Sequence, residues 1–204
     1  MAELESSQVM MKVIKFLSSL LQRVSETNDV FGRFDAQKMS IFHGLTRPTI
    51  SIQSYLERIF KYANCSPSCF IVAYIYLDRF AQKQPLLPIN SFNVHRLLIA
   101  SVLISAKFMD DIFYNNAYYA KVGGISTAEM NLLEVDFLFG LGFQLNVSTT
   151  TFHHYCSYLQ REMLLEFPPL TAPPSAINLG RTENVHFRVN EDGSSTTHQH
   201  QLAV

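Results

Sequence analysis

Apolar residues in this chain recur at three- and four-residue steps and show no serious alternation, so the pattern predicts helices and no sheet. Val9, Val13, Phe16, Leu17, Leu20, Leu21 and Val24 mark an amphipathic helix over residues 5–24, suited to packing on a body or to acting as a docking arm. The stretch 25–48 is polar and irregular and ends at Pro48, as a linker would. Ile52, Tyr55, Leu56, Ile59 and Tyr62 give the apolar face of a helix at 51–63, with Ser51 as its N-cap. A second helix, 67–82, has Ser66 as cap and Pro67 in its first turn, where a missing N–H costs nothing. A short helix at 116–122 is stopped by Gly123-Gly124. Ser126-Thr-Ala-Glu129 has the form of a capping box and opens a helix to about 140, punctuated by Gly140 and Gly142. Phe152, Tyr155, Leu159 and Met163 mark a last helix at 149–164.

The helix at 91–109 differs from the rest. Its apolar residues are not confined to one stripe, so it should sit in the middle with neighbours on several sides. The expected fold is all-α: a five-helix bundle around this central helix, flanked by N- and C-terminal helices. Residues 1–47 read as N-terminal helix and linker, and 48–165 as the bundle with its following helix. Residues 166–204 begin with closely spaced prolines and turn to Ser, Thr, His and Gln, the composition of a disordered tail.

Charge and cysteine content narrow the function. A net charge of −1 speaks against a nucleic-acid binder that relies on a basic face. Cys65, Cys69 and Cys156 are too few, and odd in number, for a disulfide framework, and a reducing compartment fits them. The N-terminus is acidic, without a secretory pattern, and no apolar stretch reaches the ~20 residues that span a bilayer. The expectation is a soluble, intracellular protein.

Catalytic or metal chemistry finds no constellation. His153 and His154 point about 100° apart on a helix and do not converge with Cys156 on one ion. No phosphate loop or nucleophile elbow is present, so neither a metal nor another cofactor is expected. Asp110 and Asp111 follow the C-terminus of the central helix, where acids are electrostatically disfavoured, and read as solvent-exposed. The charges within the bundle carry more. Lys107 stands in Leu97–Met109, otherwise apolar but for Ser101 and Ser105. A lone buried ammonium is costly, so Lys107 must reach the surface, be paired, or meet a partner outside the chain. Glu134 lies on a helix that should pack beside it. The two form either an internal salt bridge or a charged pair at the edge of an apolar docking surface. Asp78 and Arg79, in Tyr-Leu-Asp-Arg-Phe80, read as a structural clamp, with Arg58 of the preceding helix as a base for Asp78.

At these residues the chain resembles the cyclins. Tyr-Leu-Asp-Arg-Phe80 matches their "YIDRF", and Ser-Ala-Lys-Phe108 followed by two acids matches "ASKFEE". Leu-Leu-Glu134 with Phe143 in Gly-Phe-Gln-Leu resembles the end of the cyclin box. The stretches TRPTISIQSYLERIFKYANCSPSCF (46–70) and NNAYYAKVGGIS (115–126) are similar to plant U-type, or P-type, cyclins, which resemble the phosphate-signalling cyclins of yeast. The resemblance implies a single cyclin box and a non-catalytic regulatory subunit that activates a cyclin-dependent kinase, an A-type plant kinase being the expected partner. It implies that Lys107 and Glu134 hydrogen-bond around the kinase's mobile regulatory helix while Phe108 packs beside them. It further implies a role in the cell cycle or phosphate-linked signalling, in nucleus, cytoplasm or both. An alternative is a cyclin-box scaffold or transcription-factor-like module. Pro48-Thr-Ile-Ser-Ile-Gln53 stands where many cyclins carry the substrate-docking M-R-A-I-L motif, so that patch is not expected here.

Overall fold

The computed structural model describes residues 2–31 and 40–166, all within one unit. Among them are seven helices and no strand: α1 (Ala2–Phe31), α2 (Ile52–Tyr62), α3 (Pro67–Lys83), α4 (Val94–Met109), α5 (Asn116–Gly123), α6 (Thr127–Gly140) and α7 (Thr149–Glu166). The tail assigned to 166–204 lies outside the described residues apart from Glu166, the last residue of α7.

Helix α4 is the hub, as its all-round hydrophobicity predicts. It packs against α2, α3, α5 and α6, and of the residues Val94 to Ala106 only Arg96 is not buried. Its two serines satisfy their hydroxyls on their own helix: Ser101 donates to Leu98 O (2.8 Å) and Ser105 to Val102 O (2.9 Å). No foreign partner is needed inside the hub.

The N-terminal helix is longer than its apolar pattern. Residues 25–31, read as linker, are helical, and Asn28 and Asp29 among them bond to the protein. Asn28 Nδ2 donates to Ile89 O at 2.8 Å. Asp29 accepts Ser91 N at 3.1 Å and pairs with Arg47 at 3.3 Å. The helix is no free arm: Ile14, Phe16, Leu17, Leu20 and Leu21 are buried, and it packs on α2, α3 and α7.

The end of the expected linker is a strap. Phe42 is buried, with its ring 5.4 Å from Phe80 and 6.1 Å from Phe137, which themselves stack at 4.7 Å. Arg96 holds the strap down. It donates to His43 O at 2.7 Å while pairing with Glu129 at 2.7 Å. Glu129 also completes the capping box with Ser126 that opens α6.

Local signals set most helix starts. Ser51 accepts Ser54 N (3.1 Å) and Asn115 accepts Tyr118 N (3.0 Å). Ser66 occupies the cap position of α3, but its hydroxyl makes no capping bond. Asp110 supplies the acceptor, its Oδ2 lying 2.9 Å from Ser66 N and 3.3 Å from Cys69 Sγ. The acid read as a solvent-exposed residue after α4 therefore sits at the positive end of α3, where the dipole favours it.

Candidate functional site

The C-terminal turn of α4 breaks the apolar helix open. Lys107 Nζ lies 2.6 Å from Glu134 Oε1, and the two side chains are 28% and 17% exposed. The internal ion pair is formed, and it is partly open to solvent. Glu134 has a second partner, Asn116 Nδ2, 2.6 Å from Oε2. The same amide donates to Asn131 Oδ1 at 2.7 Å. Three helices thus converge on one carboxylate, Lys107 from α4, Asn116 from α5 and Glu134 from α6.

Exposed apolar residues follow Lys107 along the chain and share helix α6 with Glu134. Phe108 is 49% exposed and Ile112 84%, with Met109, Phe113 and Tyr114 also open to solvent. On α6, Leu132, Val135 and Phe139 form an exposed stripe beside Glu134. Helix α6 therefore has two apolar sides: Met130, Leu133 and Phe137 are buried in the core, and the other side faces solvent. Large contiguous apolar exposure marks an interaction surface.

Phe143 completes the surface from the loop after α6. It is 57% exposed and edge-on to Phe139 with ring centroids 5.1 Å apart. Its φ is +58°, left-handed for a bulky residue, a conformation that persists only where the surroundings enforce it. Helix α3 does so. Lys83 Nζ donates to Leu141 O (2.7 Å) and Tyr76 OH to Leu145 O (2.7 Å). Arg79 Nη1 bridges Gln144 O and Asn146 O, both at 3.0 Å.

Arg79 is thus a clamp, but on backbone carbonyls. The pairing of Asp78 with Arg58 is not formed. Asp78 accepts from Gln82 Nε2 at 3.0 Å and from the Tyr155 hydroxyl in a short bond, which ties α3 to α7. Burial raises the Asp78 carboxyl, and the Tyr155 and Gln82 bonds oppose that shift. Arg58 lies over the Tyr55 ring at 5.0 Å, near Gly124, where an added Cβ would come 3.6 Å from its Nη2. The clamp residues serve α7 and the 141–146 turn instead of an α2–α3 ion pair.

Sequence reasoning isolated Lys107, Glu134 and Phe108 and missed Asn116, Val135, Phe139 and Phe143 as neighbours of that site. The only advance signal was α6 itself, whose apolar residues are too widely spread around the helix for one buried stripe.

Among the described residues, no group of three or more His, Cys, Asp or Glu could hold a metal ion. No helix of those residues is long and apolar enough to cross a membrane. A family model described as Cyclin matches residues 7–145. Cyclin-U4-1 of Arabidopsis thaliana is 64% identical over 207 residues, covering 100% of both chains. Cyclin-U4-3 of the same plant is 61% identical over 202 residues, 97% of this chain and 91% of the relative. Cyclin-P4-1 of Oryza sativa subsp. japonica is 58% identical over 176 residues, 83% of each chain. The chain belongs to the cyclin family, whose members are regulatory proteins and not catalysts.

Proposed function

We propose that this cyclin binds and activates a cyclin-dependent protein kinase through the surface centred on Lys107 and Glu134. The observation that carries the reading is a half-buried ion pair between two helices that also carry exposed Phe108, Val135 and Phe139, with exposed Phe143 edge-on to Phe139. A Lys offers three donors to the carbonyls at a helix end, and a Glu accepts from exposed amides. Both interactions strengthen once water is excluded by the docked partner. Phe108 and Phe143 supply the apolar contact. The partner is the kinase's mobile regulatory helix, held inward so that its Glu meets the ATP-orienting Lys. Activation is a population shift set by tighter binding to the active arrangement.

The kinase is of the plant A type, and the setting is the cell cycle or phosphate-linked signalling, in nucleus, cytoplasm or both. Capture of a purified plant A-type kinase by Lys107→Ala and Glu134→Ala variants tests the site, and a kinase assay with and without the cyclin tests activation. Each variant is expected to lose about 2 kcal/mol of affinity or more. Unimpaired capture by both would remove the site assignment. Capture without stimulation of phosphoryl transfer would favour a scaffold.

A further inference from the structure

We infer that Asn116 is a positioning residue for kinase docking: it holds the Glu134 carboxylate in place when Lys107 turns from its internal partner to the kinase. The inference rests on the proposed docking site and deepens it.

In the free chain the site is closed on itself. Glu134 Oε1, 2.6 Å from the Lys107 ammonium, takes one of its three donors. A partner that takes all three donors competes with Glu134 for Lys107, and a carboxylate that loses its only tether swings to solvent. Glu134 has a second tether. Asn116 Nδ2 spends one hydrogen on Glu134 Oε2 and the other on Asn131 Oδ1. Asn131 precedes Glu134 by three residues on α6, so both acceptors lie on one helix face. The amide is thus fixed on α6 through two acceptors, neither of which is Lys107.

The orientation of the amide follows from these neighbours. Exchanging its oxygen and nitrogen would set an acceptor against the Glu134 carboxylate and leave that oxygen without a donor. Satisfying Glu134 has a cost, because Asn116 Oδ1 is left buried without a partner. An unmade buried hydrogen bond is unfavourable, and at a helix start an Asp, Ser or Thr would serve local structure as well. What Asp or a hydroxyl at this position cannot do is donate two hydrogens from one atom to two acceptors on α6. The arrangement is explained by Glu134 and not by helix α5.

The test measures the affinity of the full chain for a purified plant A-type cyclin-dependent kinase. The variants are Asn116→Ala, Asn116→Asp, Lys107→Ala and Glu134→Ala, with each Asn116 change also combined with Glu134→Ala. Asn116→Ala is expected to weaken binding about tenfold. Asn116→Asp should weaken it at least as much, although its shape is kept and its charge suits the start of α5. In the Glu134→Ala background neither change should add a further loss, the non-additivity of groups acting as a unit. Binding by Asn116→Asp equal to that of the unaltered chain would overturn the inference, and so would the same fold-loss with and without Glu134. Should Asn116→Ala lose helix content by circular dichroism, the shape-preserving Asp variant decides. If Lys107→Ala and Glu134→Ala bind normally, the docking reading itself falls. If those two fail and the Asn116 variants bind normally, only the role of Asn116 falls.

Discussion

Asp110 caps the helix that begins beside Ser66: the backbone N–H of Ser66 donates to the Asp110 carboxylate at 2.9 Å, across 44 positions of sequence. The Ser66 hydroxyl, which local pattern would credit with the cap, makes no capping bond. Asp110→Ala should therefore destabilise the protein by about 1–2 kcal/mol, as loss of a cap does, whereas Ser66→Ala should be close to neutral. Urea unfolding of the two variants checks the order. An equal or larger effect of Ser66→Ala would contradict it.

Tyr155 donates to Asp78, and that bond carries a pH signature. Burial holds the folded carboxyl above its ordinary value. Between the ordinary and raised values the folded chain keeps a proton that the unfolded chain has lost. Stability therefore falls as pH rises through that window and levels off above it. The Tyr155 bond favours the charged form and limits the shift. Removing it with Tyr155→Phe should cost about 2 kcal/mol at neutral pH, as for a bond to a charged group. The cost should be smaller in acid, where Asp78 is protonated in both states. Thermal melts of both proteins across that range test it, and a pH-independent difference would refute the assignment to Asp78.

Phe143 should separate stability from docking. A glycine accepts the left-handed backbone without strain. Phe143→Gly is therefore expected to leave stability unchanged or raise it by up to about 1 kcal/mol, while kinase affinity falls by about 1 kcal/mol or more. Chemical denaturation and a binding titration on one preparation give both numbers. A variant less stable by more than a small margin would show that the aromatic ring serves the fold.

Gly140 gives a prediction of unusual sign. A helix glycine replaced by alanine normally gains about 0.5–1 kcal/mol. Here a Cβ would lie 2.2 Å from Phe80 Cε2, and the Phe80 ring is fully buried and stacked on Phe137. Overpacking should dominate, and Gly140→Ala should lose about 1–3 kcal/mol. An unfolding midpoint at or above that of the unaltered chain would show that the ring can yield.

The features legible in advance were those written in adjacent residues. The apolar surround of α4 gave it the centre, and Ser126 and Glu129 marked the start of α6 in the correct register. Lys107 stood out as the one charge in an otherwise almost wholly apolar stretch, Leu97–Met109. What stayed hidden was paired over long distances. Asn28 and Asp29 look like linker residues until Ile89 and Ser91 are placed beside them. Asp78 invites a nearby base, and only the packing of α7 supplies Tyr155 in its place. Val135 and Phe139 have the same chemistry as core residues, and a helix with two apolar sides cannot announce which side meets solvent. The left-handed turn at Phe143 is imposed by Arg79, Lys83 and Tyr76 from another helix, so no local preference encodes it.

The contact between the first helix and the last has a consequence for synthesis. Helices α1 and α7 touch, and α7 also covers α3, with Leu159 buried. A chain made from its N-terminus therefore completes residues 107–143, which carry the Lys107–Glu134 pair and the exposed apolar residues beside it in sequence, before the bundle can close. Until α7 emerges, Asp78 lacks Tyr155 and the apolar faces of α1 and α3 lack their cover. Translation stalled ahead of residue 149 would leave a nascent chain that displays these exposed apolar residues on an open core, a state prone to aggregation and to capture by chaperones.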